Sequence, residues 1–255
     1  MSYKTALLSA AALGIVLPGF AQDSDSEENR LGPVIVEGSR LNQTATEVGS
    51  SVNIISQEDL EKLDFDFAVD AVASAPGVTI NQNGAFGGAA SVRIRGASTD
   101  QTLVLIDGVA VNDPSAVGGA YDFGFLDTSS IERIEVLKGP QSTLWGADAI
   151  GGVVSITTKT PEEGFGGQAF AEYGSFNTVR GGVSLEGAGD AGDFRLGASG
   201  ISSDGISKAD EDNGNTEDDG YESTTLSVRG GLNLPAGARL EATTLWTDAE
   251  ADYDS

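Results

Sequence analysis

Between Asp204 and Glu222 the chain places eight carboxylates, Asp204, Asp210, Glu211, Asp212, Glu217, Asp218, Asp219 and Glu222, against a single cation, Lys208. Oxygen ligands at that density suit calcium, which takes roughly six to eight oxygens from carboxylates, amides and carbonyls. A solvated acidic loop without metal is the alternative reading. Other chemistry is hard to assemble. The 255 residues include no histidine and no cysteine, which removes Ser/His and Cys/His catalysis, zinc–thiolate sites and disulfides. The run GADAIGG, Gly146 to Gly152, lacks the Lys-Ser/Thr ending of a phosphate-binding loop. No base is at hand to activate Ser142 or Thr143. The chain therefore reads as a binding protein, not an enzyme, with no cofactor required for chemistry.

Its formal charge of −25 argues against a nucleic-acid partner, because phosphate binding needs a basic surface. Residues 1–21 read as a secretory signal peptide: Lys4, an apolar run from Ala6 to Leu17, and the small-x-small site Gly19-Phe20-Ala21. That run, about a dozen residues, is short for a spanning helix. Residues 22–40 form a polar leader, with one β-branched island in the stretch Pro33, Val34, Ile35, Val36, Glu37, Gly38. Six residues cannot build a core, but they can lend a strand to a partner sheet.

Two grammars follow. Residues 41–160 alternate short strands (SVNIIS, GVTI, SVRIRG, TLVLIDG, IERIEVLKG, GVVSITTK) with two helices, QEDLEKL and FAVDAVASA. Ser56 and Asp59 make a capping-box start for the first helix, and Pro76-Gly77 end the second. The composition is that of a compact α+β domain. Arg93 and Arg95 are expected to pair with Asp107, Glu132 or Glu135, or with a surrounding wall. From residue 165 to 255 about five longer segments alternate cleanly. Leu226, Val228 and Leu232 share one face, and Ser227, Arg229 and Asn233 the other. Connections run short, short, very long, short. Strands of about ten residues with one long loop fit the first antiparallel strands of a transmembrane β-barrel better than a sandwich.

The text SVRIRGASTDQTLVLIDGVAVND, together with IERIEVLKGPQSTLWGADAIGGVVSITTK, resembles the plug domain of TonB-dependent outer-membrane receptors. The resemblance implies a large barrel whose lumen is filled by an α+β plug. It also implies an outer-membrane location in a Gram-negative bacterium, outer-membrane lipid as a neighbour, and TonB-driven uptake of a scarce nutrient. Pro33 to Gly38 then stands where the family carries its TonB box.

Within the family the text looks most like the cobalamin-receptor branch, with a ferric-siderophore receptor or a secreted plug-like binding module as alternatives. A gapless carry-over of the branch's ligand-facing plug positions falls on Ala89, Ser91, Ser98, Ala116 and Val117. The branch orders its loops with calcium, and that ligand pattern maps onto Asn215, Glu217 and Asp219, with Tyr253 and Asp254 from the next loop. A glutamate stands at one expected aspartate. Five strands with open edges do not make a viable barrel, so the chain is expected to be the front part of a receptor.

Overall fold

The computed structural model describes residues 35–36, 43–44, 49–83, 87–115, 119–205 and 219–252. Two-residue strands β1 (Ile35–Val36) and β2 (Gln43–Thr44) pair antiparallel with each other. Then come β3 (Ser51–Ser56), α1 (Gln57–Lys62), α2 (Ala68–Ala73), β4 (Val78–Gln82), β5 (Ala90–Ile94), β6 (Thr102–Ile106), β7 (Val109–Ala110), β8 (Ile131–Lys138), α3 (Ser142–Trp145) and β9 (Gly152–Thr158). Five longer strands follow: β10 (Gly164–Tyr173), β11 (Val179–Gly189), β12 (Gly192–Ser203), β13 (Tyr221–Asn233) and β14 (Arg239–Ala251).

The first layer is a five-stranded sheet ordered β3-β8-β9-β6-β7, with β4 and β5 as a separate hairpin. Only β6 and β9 run parallel in it. Both faces of β6, β8 and β9 are covered, which explains their nearly unbroken apolar runs. Val104, Ile134, Val136, Val154 and Ile156 pack on one face with Val69 and Val72 of α2. Leu103, Leu105, Leu137 and Val153 pack on the other, beneath Trp145. Asp107 and Gly108, both at positive φ (47° and 78°), make the two-residue turn from β6 to β7, the Asp-Gly choice for a hairpin that must match strand twist. Gly151 lies so close to its neighbours that a Cβ there would sit 2.6 Å from the Ala97 side chain.

α1 starts where the sequence places it. The Ser56 hydroxyl accepts the Asp59 amide at 3.2 Å, and the Ser56 amide donates to the Asp59 carboxylate at 3.0 Å. Both helices are shorter than their apolar patterns suggest. α1 is stopped by Asp64 at φ 53° and α2 by the Pro76-Gly77 turn. β7 and α3 carry no periodic signal because they are too short to have one.

The second layer is one antiparallel sheet in chain order, β10 to β14. Its strands run from 10 to 13 residues. Tilted by about 45°, such strands cover roughly 23–30 Å, the thickness of a bilayer's apolar layer. The turns at 190–191 and 234–238 lie at one end, and the connections 174–178 and 204–220 at the other. Phe194, Leu196, Leu226, Val228, Leu240 and Trp246 stand exposed on the outer face. Arg180, Arg195, Ser199, Ser223 and Thr225 are buried on the inner face against the plug. Among the described residues no helix is long and apolar enough to cross a membrane.

The expected pairing of Arg93 and Arg95 with Asp107 or Glu135 is not what forms. Asp107 faces Arg229 of β13 at 3.7 Å, and Glu135 takes its own strand neighbour Arg133 at 3.0 Å. Glu132 accepts the Thr160 amide at 3.0 Å. The plug–wall pairs instead use arginines borne by the wall and acids borne by the plug. An inward wall position can extend a long cation into the plug, whereas Arg93 lies on the exposed face of β5 and Arg95 in the exposed turn after it.

Candidate functional site

The β4–β5 hairpin brings its described tip residues, Asn83 and Gly87 to Ala89, to the end of the wall where β12 ends and β13 begins. Gly87, at φ 69°, lies directly against the ring of Tyr221, with the Ala251 side chain beside it. A second plug segment is bound to the same tip. The Asp122 carboxylate accepts the amides of Ala90 and Gly124, each at 2.9 Å, and the Phe123 amide donates to the Ala90 carbonyl at 2.9 Å. Tyr121 and Phe123 meet edge to face with centroids 4.9 Å apart. Burial, with the Asp122 charge adding to it, pushes the Tyr121 phenol up to about 12, so it stays a neutral hydroxyl.

Of the plug residues expected to face ligand, Ala89 is exposed at this tip and Ser91 is half-buried just behind it, its hydroxyl donating to the Asn81 carbonyl at 3.4 Å. Ala116 and Val117 lie outside the described residues, but the end of their connection, Gly119 to Gly124, is the segment tied to Ala90. Ser98 is not brought to this tip. It follows the far end of β5, about 16 Å of strand away, where its amide donates to Gln101 at 3.2 Å in a short capped turn.

The long acidic connection is described only at its two feet. On the first, Asn177 donates to the Asp204 carboxylate at 2.6 Å, and the Thr178 and Ser203 hydroxyls share a bond at 2.8 Å. On the second, Asp219 is 3% exposed and the Asp252 amide donates to the Gly220 carbonyl at 2.9 Å. Asp219 is the one expected calcium ligand that the structure describes; Asn215, Glu217, Tyr253 and Asp254 fall outside. Among the described residues, Asp64, Asp66 and Glu172 are the carboxylates that converge closely enough for a metal. Arg180 already supplies a cation there, 3.0 Å from Asp66 and 3.1 Å from Glu172.

That arginine is the larger of two plug–wall junctions. It stacks over Phe170 at 5.0 Å and reaches Thr128 and Asp127 as well. Burial raises the Asp66 carboxyl above its usual range, with Arg180 opposing. At the second junction Asp107 accepts the Thr158 amide at 2.9 Å and its hydroxyl at 2.7 Å, while Arg229 donates to that hydroxyl at 3.1 Å. Between this junction and the tip lies a cavity of about 870 Å³, bounded by Tyr121 and Phe125 of the plug and Thr243, Leu245 and Thr247 of β14. Sequence reading placed Arg229 on the polar side of its strand but missed Asp66 and Asp127 as partners of Arg180. Tyr221 was missed too, since nothing in its local text marks an aromatic that points inward.

Of the TonB-box stretch, Ile35 and Val36 are strand residues paired with Thr44 and Gln43. Pro33, Val34, Glu37 and Gly38 lie outside the described residues.

A mixed-sheet domain seated against the polar face of an open antiparallel sheet, whose apolar face is turned outward, is the arrangement of an internal plug and part of the wall of a membrane β-barrel. Residues 44–153 match the model of the TonB-dependent receptor plug domain. A vitamin B12 transporter BtuB of Vibrio vulnificus strain CMCP6 is 32% identical over 223 residues, covering 87% of this chain and 36% of that protein. The corresponding transporter of strain YJ016 is 35% identical over 151 residues, 59% of this chain and 24% of that protein. Among solved structures, the siderophore receptor PirA of Acinetobacter baumannii superposes with a TM-score of 0.67 at 26% identity, over 83% of this chain and 33% of that one. The chain belongs to the TonB-dependent receptors. It spans between about a quarter and two-fifths of the length of the curated relatives it matches.

Proposed function

We propose that this chain is the front part of an outer-membrane transporter that takes up cobalamin, with TonB as the energising partner. The observation that carries this reading is the match to vitamin B12 transporters, which runs through the plug and on into the wall strands at 32% identity. Ligand docks on the plug tip around Ala89 and Ser91 and on the connections above it. Transport is by rearrangement of the plug, without covalent chemistry. The energising step works through Pro33 to Gly38 by strand addition; Ile35 and Val36 already hold strand geometry, which supports this. Calcium ordering of residues 204–222 through Asn215, Glu217, Asp219, Tyr253 and Asp254 belongs to the same proposal.

A ferric-siderophore receptor is the second reading, favoured by the siderophore receptors among the structural neighbours. Against it stand the eight carboxylates between Asp204 and Glu222, which repel an anionic chelate. The test is uptake of labelled cyanocobalamin and of ferric enterobactin by cells whose only receptor carries this chain. Cobalamin uptake that Ile35→Pro abolishes while binding persists supports the reading. Equal loss of binding and uptake removes the TonB-box assignment, and uptake of the ferric chelate alone replaces the ligand. Calcium is tested by titration: no binding below about millimolar concentration, the weak end of protein calcium sites, ends that claim.

A further inference from the structure

We propose that Tyr221 is a positioning residue that sets the ligand-facing tip of the plug from the wall. The proposal deepens the uptake reading above and rests on it for the identity of the ligand.

Tyr221 is the first residue of β13, directly after the acidic connection, and it is paired with Ser203 and Ala251 in the wall sheet. Its neighbours Ser223 and Thr225, on the same inner face, are small. Tyr221 instead sends a full aromatic ring into the plug's hydrophobic core, where it is 1% exposed. There it meets Phe67, the residue that opens α2, edge to face at 5.8 Å. Its other side lies against Gly87. Any Cβ at Gly87 would collide with the ring, and the positive φ of 69° independently favours glycine there. The ring and the glycine therefore form a knob and a socket, one on the wall and one on the plug tip.

Ala89 is two residues beyond the socket, and Ala90 is fixed in turn by Asp122. On the wall side, Tyr221 follows Asp219 and Gly220, the second foot of the acidic connection, which Asp252 holds in place. A displacement of that foot must move the ring, because β13 begins there. A displaced ring must either drag residues 87–90 with it or open a void in a close-packed core. The geometry thus gives the wall's outer connection a lever on the plug tip through one side chain that need not touch ligand.

The chain has no native cysteine, so single spin labels report cleanly. Ala89→Cys labels the tip, and Ser142→Cys labels exposed α3 in a distant part of the plug. In the full chain, Tyr221→Ala is expected to mobilise the label at 89 and leave that at 142 unchanged. Tyr221→Phe keeps the ring and restores the tip. With cyanocobalamin as probe, Tyr221→Ala weakens binding about tenfold, equivalent to ~1.4 kcal/mol, and Tyr221→Phe returns it. An unmoved label at 89 overturns the proposal. Equal mobilisation at both positions overturns it too, since the ring would then merely stabilise the plug as a whole. Failure of the unsubstituted protein to bind cyanocobalamin would instead count against the ligand assignment, with the label comparison still deciding the lever.

Discussion

The plug sheet and the wall sheet each have five strands, yet their cross-sections are opposite. In the plug, Ile134, Val136 and Val154 are fully buried. In the wall, Val183 and Leu240 are 60% exposed while Arg195 and Thr225 are 7% and 5% exposed. Strand periodicity alone places alternate residues on opposite faces; the medium beyond each face decides which class goes where. The plug buries apolar groups because water or polar wall surrounds it. The wall turns apolar groups out because lipid neither rewards nor penalises them as water does, and it turns Arg180 and Arg229 in, where Asp66, Asp127 and Asp107 receive them.

The widest separation between the two regions is expected from their responses to losing or gaining polarity. Ile134→Ala opens a cavity in the plug core and is expected to cost about 4 kcal/mol, within the usual range for such truncations. The two tryptophans fall one in each region, Trp145 on the plug and Trp246 on the outer wall. Denaturation followed by Trp145 emission in a Trp246→Phe background should show the loss. A loss below about 1 kcal/mol would mean the plug core is not close-packed. Val228→Arg makes the opposite test on the outer face. If that face meets lipid, the substitution costs about 2–4 kcal/mol near the middle of the bilayer. If it meets water, the cost is near zero, and the wall would be an ordinary half-wet sheet. Trp246 emission in lipid vesicles reads the difference.

The junction between the regions is sharpened by Asp107→Ala. This substitution strips the Thr158 amide and hydroxyl of their acceptor and leaves Arg229 without its plug carboxylate. Unsatisfied buried donors cost about 1–3 kcal/mol, so a loss of about 2 kcal/mol is expected, with the plug released from the wall at lower denaturant. If the plug and wall unfold together as before, Arg229 has a replacement partner and the junction is not what holds them.

Much of this architecture was legible because it is repetitive. The wall strands announce their two faces every second residue, and all six plug strands read from the sequence form. The Ser56 cap was legible because its signal spans only four residues. The partners were not. Arg180 meets Asp66 and Asp127 across 114 and 53 positions of chain, and no local pattern encodes which acid a wall arginine will find. Tyr221 failed to stand out for the same reason: its role is set by Gly87, 134 residues earlier. Ala89 and Ser91 stand at one end of β5, while Ser98 stands beyond the Arg95-Gly96 turn at the other, a separation that local text does not encode.

The smallest expected effect separates the plug from the wall by pH. Ser56→Ala removes the acceptor for the Asp59 amide and is expected to cost the plug about 1 kcal/mol, typical for an N-cap. It should leave the wall untouched. The same cap holds the Asp59 carboxyl below its usual range, chiefly through the Ser56 hydroxyl and then the Ser56 amide. A depressed folded pKa adds stability that is present above the unfolded value and lost as pH falls through the folded one. The penalty of Ser56→Ala should therefore be full at pH 7, begin to shrink below about pH 4, where Asp59 of the unfolded chain protonates, and reach its floor only as pH falls through the lower folded value. Asp66 works in the other sense. Its carboxyl is raised by burial, so its own contribution is greatest below the unfolded value and falls as pH rises through the folded one. An acid titration of the Trp145 transition, with and without Ser56→Ala, separates the two signs. A penalty that stays constant down to pH 3 would show that the Asp59 carboxylate takes no part in the cap.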